Sequence, residues 1–296
     1  MLLKVVFFVF LATAFPVASL FAAPSVIVST APIHSVVSAV MTGAGEPDLL
    51  LPPTVSVHDF YLKPSDLRRL ASADIIFWGG PALESGLVKI LQSVGKEKQS
   101  VAVLADPRLI VYPARGDHHH DEPDGHFWLE PENMVVLAEI VAEKLSASDP
   151  ENAALYEQNA RRVRTDMRAL KEEGKQKLKK VKSKPYVVFH DAFQYFEKSF
   201  DLFALGALFV DPHHAAGAAR IADVREKIKR AGTVCLFAEP QFSDKRLKAA
   251  AEELPVIFGK LDPAGSALTP GRDFYPQLMR GLFHSLVECL SRLPEE

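Results

Sequence analysis

The sequence predicts an α/β fold built as two similar parallel-sheet lobes joined by one long, rigid helix. Short apolar runs rich in β-branched residues recur along the chain: Val26-Ile27-Val28, Asp74 to Trp78, Val101 to Leu104, Tyr186 to Phe189, Val234 to Ala238 and Val256 to Phe258. Stretches of helical character separate them, among them Pro64 to Ala71, Pro131 to Leu145 and Gly217 to Arg230. Strands that read as continuous apolar runs and alternate with helices form parallel sheets covered on both faces. In the middle, Ser148-Asp149-Pro150-Glu151 supplies an N-cap, a proline at the first helical position and an acid in the first turn, and the next proline is Pro185. The apolar runs fall on both sides of this segment, which makes it a connector.

In chain order, residues 1–23 carry Lys4, the apolar run Val5 to Ala12, and small residues ending at Ala22-Ala23 before Pro24. This is the layout of a cleaved secretory signal peptide. The apolar run is shorter than the ~20 residues that span a bilayer, and Pro16 interrupts the region. With no cysteine nearby to take a lipid, the mature chain is expected to be exported without an anchor. Residues 24–148 form the expected first lobe, 149–183 the connecting helix and 184–296 the second lobe. A helix from Pro150 to Ser183 would be about 50 Å long, with Leu155, Val163, Met167, Leu170 and Leu178 as its apolar stripe. Its basic end, Lys175 to Lys182, reads as a solvated face with cations near the C-terminal dipole rather than an anion-binding patch.

The composition excludes some classes. With 48% hydrophobic and 24% charged residues, the bulk of the chain is globular rather than disordered. Thirty-four Lys and Arg against 37 Asp and Glu leave no broad positive surface for nucleic acid. The only cysteines are Cys235, in an apolar strand, and Cys289, near the end of the last helix. In an exported protein a bridge is favoured over two buried thiols, and it would staple that helix to the sheet. No Cys-x-x-Cys redox motif is present.

The ten histidines are unevenly placed. His118, His119 and His120 lie in an acidic, glycine-containing loop, a composition that makes a weak, adaptable metal collector. His190 ends the strand-like Tyr186 to Phe189, where open parallel sheets bind ligands. His58 follows Leu49-Leu50-Leu51 through a proline-rich turn, and His126 precedes Phe127-Trp128-Leu129. Imidazoles converging from two lobes would make an N3 site that suits Zn²⁺, with a carboxylate or water in the fourth position. Spacing alone does not distinguish this from three unrelated loop histidines.

Four segments add specificity: Val57-His58-Asp59-Phe60-Tyr61-Leu62-Lys63-Pro64-Ser65-Asp66, Gly125-His126-Phe127-Trp128-Leu129-Glu130-Pro131, Val188-Phe189-His190-Asp191-Ala192-Phe193-Gln194-Tyr195-Phe196 and Phe237-Ala238-Glu239-Pro240-Gln241-Phe242. In order and spacing they closely resemble the zinc and manganese solute-binding proteins of ABC importers, from about Ser25 to the C-terminus. The resemblance implies a metal held between the lobes by His58, His126 and His190. It implies a zinc ion as transported ligand, a periplasmic location, a cognate permease in the inner membrane, a monomer, no catalysis, and a bridge between Cys235 and Cys289. Manganese receptors typically carry a carboxylate where His190 stands, so the third imidazole favours zinc, as does the His-rich loop. Val57 replaces a glutamate that some zinc receptors place before the first ligand. Asp262 matches the position of an Asp ligand in manganese receptors and is a candidate fourth ligand or supporting acid. His34, His213 and His214 match no ligand position and are expected at the surface or cleft edge. The alternatives are a manganese or iron receptor of the same family, or a secreted zinc hydrolase. Against the hydrolase, there is no His-Glu-x-x-His, and no spacing pairs Glu130 or Glu239 with the metal.

Overall fold

The computed structural model describes residues 23–115, 122–209 and 217–294. The expected leader up to Ala22, the loop histidines His118, His119 and His120, and His213 and His214 lie outside the described residues.

The first sheet contains β1 (Val26–Val28), β2 (Asp48–Leu49), β3 (Ile75–Trp78) and β4 (Ser100–Ala102) in the order β2-β1-β3-β4, all parallel. The second contains β5 (Tyr186–His190), β6 (Ala204–Phe209), β7 (Val234–Ala238) and β8 (Val256–Lys260) in the equivalent order β6-β5-β7-β8, also all parallel. In β1, β3, β5 and β7 every residue is buried, which explains why these segments lack alternation. In both sheets the order reverses direction between the first and third strands, leaving a crevice at their carboxyl ends.

Around the sheets lie α1 (Ala31–Met41), α2 (Pro64–Ser72), α3 (Ser85–Ser93), α4 (Pro131–Ser148), α5 (Ala153–Leu178), α6 (Gln194–Phe200), α7 (Ala218–Ala231), α8 (Asp244–Ala250) and α9 (Phe274–Leu290). The long connector is α5, 26 residues and so about 39 Å. It is shorter at both ends than the expected Pro150 to Ser183. Pro150–Asn152 is a 3-10 turn, where the Asp149 carboxylate accepts from Asn152 Nδ2 at 2.8 Å and from Tyr156 Oη at 2.7 Å. Past Leu178 the chain tightens, with Val181 N–H donating to Leu178 O at 2.9 Å, and this carries Val181 into the core.

Nor is α5 a free-standing rod. Its buried stripe, Tyr156, Ala160, Val163, Met167, Leu170 and Leu178, belongs to one continuous core that runs from Val28 and Phe77 of the first sheet to Val188 and Phe237 of the second. Tyr156, not Leu155, begins the stripe. Gly174 lets α5 approach Phe200 and Phe283, whose ring carbons would lie within van der Waals overlap of any Cβ placed there. Lys175 pairs with Glu172, and Lys177 with Glu173, on the exposed face, and such pairs contribute little.

Cys235 of β7 and Cys289 of α9 are bonded, with Cα atoms 6.1 Å apart and 54 residues of separation. Closing such a loop is worth about 2–4 kcal/mol through the unfolded state. His34, expected at the surface or cleft edge, is instead buried in α1, with Nε2 3.0 Å from Pro47 O. The α1–β2 turn folds over it, and burial lowers its pKa. Among the described residues no helix is long and apolar enough to cross a membrane.

Candidate metal centre

One strand end and two connecting segments deliver three imidazoles to the cleft between the sheets. His190 ends β5 at the crevice of the second sheet. His126 caps the 3-10 turn Phe127–Leu129, whose Trp128 Nε1–H is anchored on Pro263 O at 2.9 Å. His58 sits in the irregular segment between β2 and α2. Their ligating atoms lie within 4.8 Å of one another, and this is the one group of that kind found among the described residues. His58 Nε2 lies 3.3 Å from His126 Nε2, and His190 Nε2 lies 3.4 Å from the same atom.

These spacings have a chemical meaning. Tetrahedral zinc with Zn–N bonds of ~2.0–2.1 Å sets adjacent ligand nitrogens ~3.3–3.4 Å apart. The two Nε2 separations coincide with that edge.

Carboxylates fix two of the rings. His126 Nδ1–H donates to Asp124 Oδ1 at 2.8 Å, and the same oxygen accepts the His126 backbone N–H at 2.9 Å. His190 Nδ1–H donates to Glu239 Oε1 at 2.5 Å. Each bond places the proton on Nδ1 and leaves the Nε2 lone pair facing the cleft. When both rings are neutral, lone pairs 3.4 Å apart repel, and a cation between them relieves that repulsion. Both carboxylates are buried, Asp124 at 5% and Glu239 at 3% exposure, so their charges are poorly screened. Burial opposes charge on His190, but Glu239 outweighs it and raises the ring's pKa. Burial likewise pushes Asp124 up, yet the His126 ring and Gln194 hold it below its ordinary range.

The remaining wall is mostly apolar, with Ala31, Leu51, Pro52, Val57 and Phe242 beside the polar Thr30, Ser56 and Gln241, around a cavity of about 40 Å³. That suffices for an ion and a water. Val57 faces this cavity and brings no carboxylate. Asp262 does not join the three histidines. Its Oδ1 accepts from Gln241 Nε2, Ala264 N and Gly265 N at 2.8, 3.1 and 2.9 Å, and its Oδ2 from Ser266 N and Oγ at 2.6 and 2.7 Å. It holds the turn after β8 and offers no open oxygen to the cleft.

Asp124 and Glu239 were not singled out by sequence as ring partners. Asp124 is one acid in an acid-rich loop. Glu239 faces His190 because β5 pairs with β7 in a register that sets Val188 opposite Phe237; two residues on, His190 stands opposite Glu239. Only that pairing could have exposed the relationship.

Two like-ordered parallel sheets sharing one core, with imidazoles from both meeting in the cleft, define a two-lobed metal-binding receptor. The chain belongs to the ZnuA family, the periplasmic component A of the zinc-uptake complex, whose model matches residues 26–289. It is 39% identical over 307 aligned residues to the high-affinity zinc uptake system protein ZnuA of Brucella suis biovar 1 (strain 1330), covering 90% of this chain and 92% of that one. It is 32% identical to the protein of the same name from Yersinia pestis, covering 91% and 92%. Among solved structures, the periplasmic zinc-binding protein TroA of Treponema pallidum matches with a TM-score of 0.79 at 20% identity, covering 91% of this chain and 99% of that one. A zinc-bound 138–173 deletion mutant of ZnuA matches with a TM-score of 0.77 at 21% identity, covering 92% and 100%. At these identities the structural matches establish the fold.

Proposed function

We propose that this protein is a periplasmic zinc receptor of an ABC importer. It binds one Zn²⁺ as substrate through Nε2 of His58, His126 and His190, and passes it as a monomer to a membrane permease. The observation that carries this reading is the Nε2 spacing of 3.3 and 3.4 Å, which matches the tetrahedral edge of zinc bound by imidazole. A water completes the tetrahedron, since Asp262 is engaged in its own turn and Val57 has no donor. An all-nitrogen protein set favours zinc over manganese, which prefers oxygen. The names of the Brucella and Yersinia relatives support the same reading.

The centre is poorly equipped for hydrolysis. A metal-bound water needs a free carboxylate or imidazole to take its proton, and Asp124 and Glu239 are committed to the ring Nδ1 atoms. Release follows from the lobe arrangement. Withdrawing one of three imidazoles leaves a two-ligand site, so a small tilt or loop movement suffices, and α5 resists wide bending.

Competitive titration of the mature protein against a chromogenic chelator tests the proposal. One zinc per chain, held far more tightly than Mn²⁺, is expected; preference for Mn²⁺, or turnover of ester, amide or phosphate substrates, would overturn it.

A further inference from the structure

Resting on that reading, we infer that α6 of the second lobe positions a ligand of the first: Gln194 and Tyr195 hold Asp124, and through it the His126 ring, so that two of the three imidazoles are governed from one side of the cleft. Gln194 Nε2 donates to Asp124 Oδ2 at 3.2 Å and to Pro113 O at 2.9 Å. Tyr195 Oη donates to Asp124 O at 2.9 Å and accepts Tyr112 N–H at 3.2 Å. Both side chains are buried, Gln194 at 7% and Tyr195 at 0% exposure.

What they grip is a small two-stranded ribbon. Ala114 N–H donates to Glu122 O, and Asp124 N–H to Tyr112 O, both at 2.8 Å. By sequence this ribbon belongs to the first lobe, yet Tyr112, Arg115 and Asp124 each have a side-chain partner in the second. Arg115 Nη1 donates to Glu197 Oε2 at 2.7 Å and its Nη2 bonds Asp191, while the Tyr112 ring packs against Tyr195 at a 49° tilt with centroids 4.9 Å apart. Asp124 ends the ribbon and meets His126 Nδ1 with the one carboxylate oxygen that Gln194 leaves free.

His190 belongs to the second lobe by chain, and His126 is tied to it by side chains. His58 is then the ligand whose separation costs none of these bonds.

A double-mutant cycle tests the positioning role, because coupling through a shared partner is non-additive. Gln194→Met keeps length and removes the donor. Zinc dissociation constants would be measured for the full mature chain, Gln194→Met, Asp124→Ala and the double variant. Cobalt(II) visible absorption would report ligand geometry, and apo thermal midpoints would report folding. The expected result is about a 10-fold loss of zinc affinity with Gln194→Met, an altered cobalt band, and less than about a 2-fold further loss when Asp124 is already alanine. An unchanged affinity, or the same loss in both backgrounds, overturns the inference. Tyr195→Phe, run through the same cycle, serves if Gln194→Met does not fold. Wild-type protein that binds no zinc, or His126→Ala that binds as well as wild type, would instead overturn the zinc reading itself.

Discussion

Replacing Glu239 by glutamine removes a charge behind His190 while keeping a hydrogen-bond acceptor in place. Glu239 Oε1 lies 2.5 Å from Nδ1; adding the ring and a Zn–N bond of ~2.1 Å puts the carboxylate about 7 Å from the metal. A unit charge facing a divalent ion at that distance gives about 5 kcal/mol at an effective dielectric of ~20. Not all of this is lost in the variant, because the same carboxylate also stabilises the proton that zinc must displace from His190. Supporting residues of this kind typically contribute 10–100-fold in affinity, about 1.4–2.8 kcal/mol, and that is the expected loss above neutral pH. The sign of the pH dependence follows from the raised pKa of His190. In the wild type, protons compete for the ring to a higher pH than the usual His value of ~6.5, so zinc affinity keeps rising through and above that range and falls on acidification. Without Glu239, burial lowers the ring's pKa, and the proton-competition window moves to lower pH. The gap between variant and wild type should be widest near pH 8 and narrow toward pH 5.5. Competition titrations across that range are the assay; parallel curves, or a gap below about 3-fold at every pH, would refute the reasoning.

Reducing the Cys235–Cys289 bridge should lower stability by about 2–4 kcal/mol in denaturant while zinc affinity changes little, and mass spectrometry of the unreduced mature chain should find the two residues joined. Glu84 is fully buried, and burial raises its pKa to about 7 despite the Gly79 and Gly80 amides it accepts from. Its folded-state pKa exceeds the unfolded value of 4.5, so its contribution is complete below pH 4.5 and is lost as pH rises to 7, at a cost of about 3 kcal/mol. Glu84→Gln should therefore stabilise the protein at pH 8 and leave it nearly unchanged at pH 4.5; equal effects at both would contradict this. Gly174→Ala gains about 1 kcal/mol of helix propensity, but its methyl would stand 2.5 Å from Phe200 Cε1. Overpacking of about 1–3 kcal/mol should win, and a stabilised variant in urea melts would show that α5 can back away from α6 and α9.

Much of this fold is legible because burial leaves its mark on composition. Val26-Ile27-Val28 and Tyr186 to Phe189 are uniformly apolar because both faces of their sheets are covered. By contrast β6, Ala204–Phe209, is apolar but contains a glycine, two alanines, no β-branched residue and three partly exposed positions, so the composition that marks the other strands is missing from it, and β2 is only two residues long. The ends of α5 departed from expectation because tertiary packing, not local propensity, draws Val181 inward and begins the stripe at Tyr156. The convergence of His58, His126 and His190 agrees with the reading of the segments around them. Their orienting acids were not legible, because Glu239 meets His190 through strand register and Asp124 is selected by Gln194 and Tyr195 from across the cleft.

X-ray absorption at the zinc edge, on mature protein loaded with one equivalent, tests the central claim most directly. It should give three imidazole nitrogens at ~2.0–2.1 Å and one oxygen from water. Deleting His118 to His120 should leave that spectrum unchanged, while His58→Ala, His126→Ala or His190→Ala should each remove one nitrogen and sharply weaken binding. A carboxylate in the wild-type coordination sphere, or a spectrum that responds to the loop deletion as strongly as to loss of these three histidines, would contradict the account.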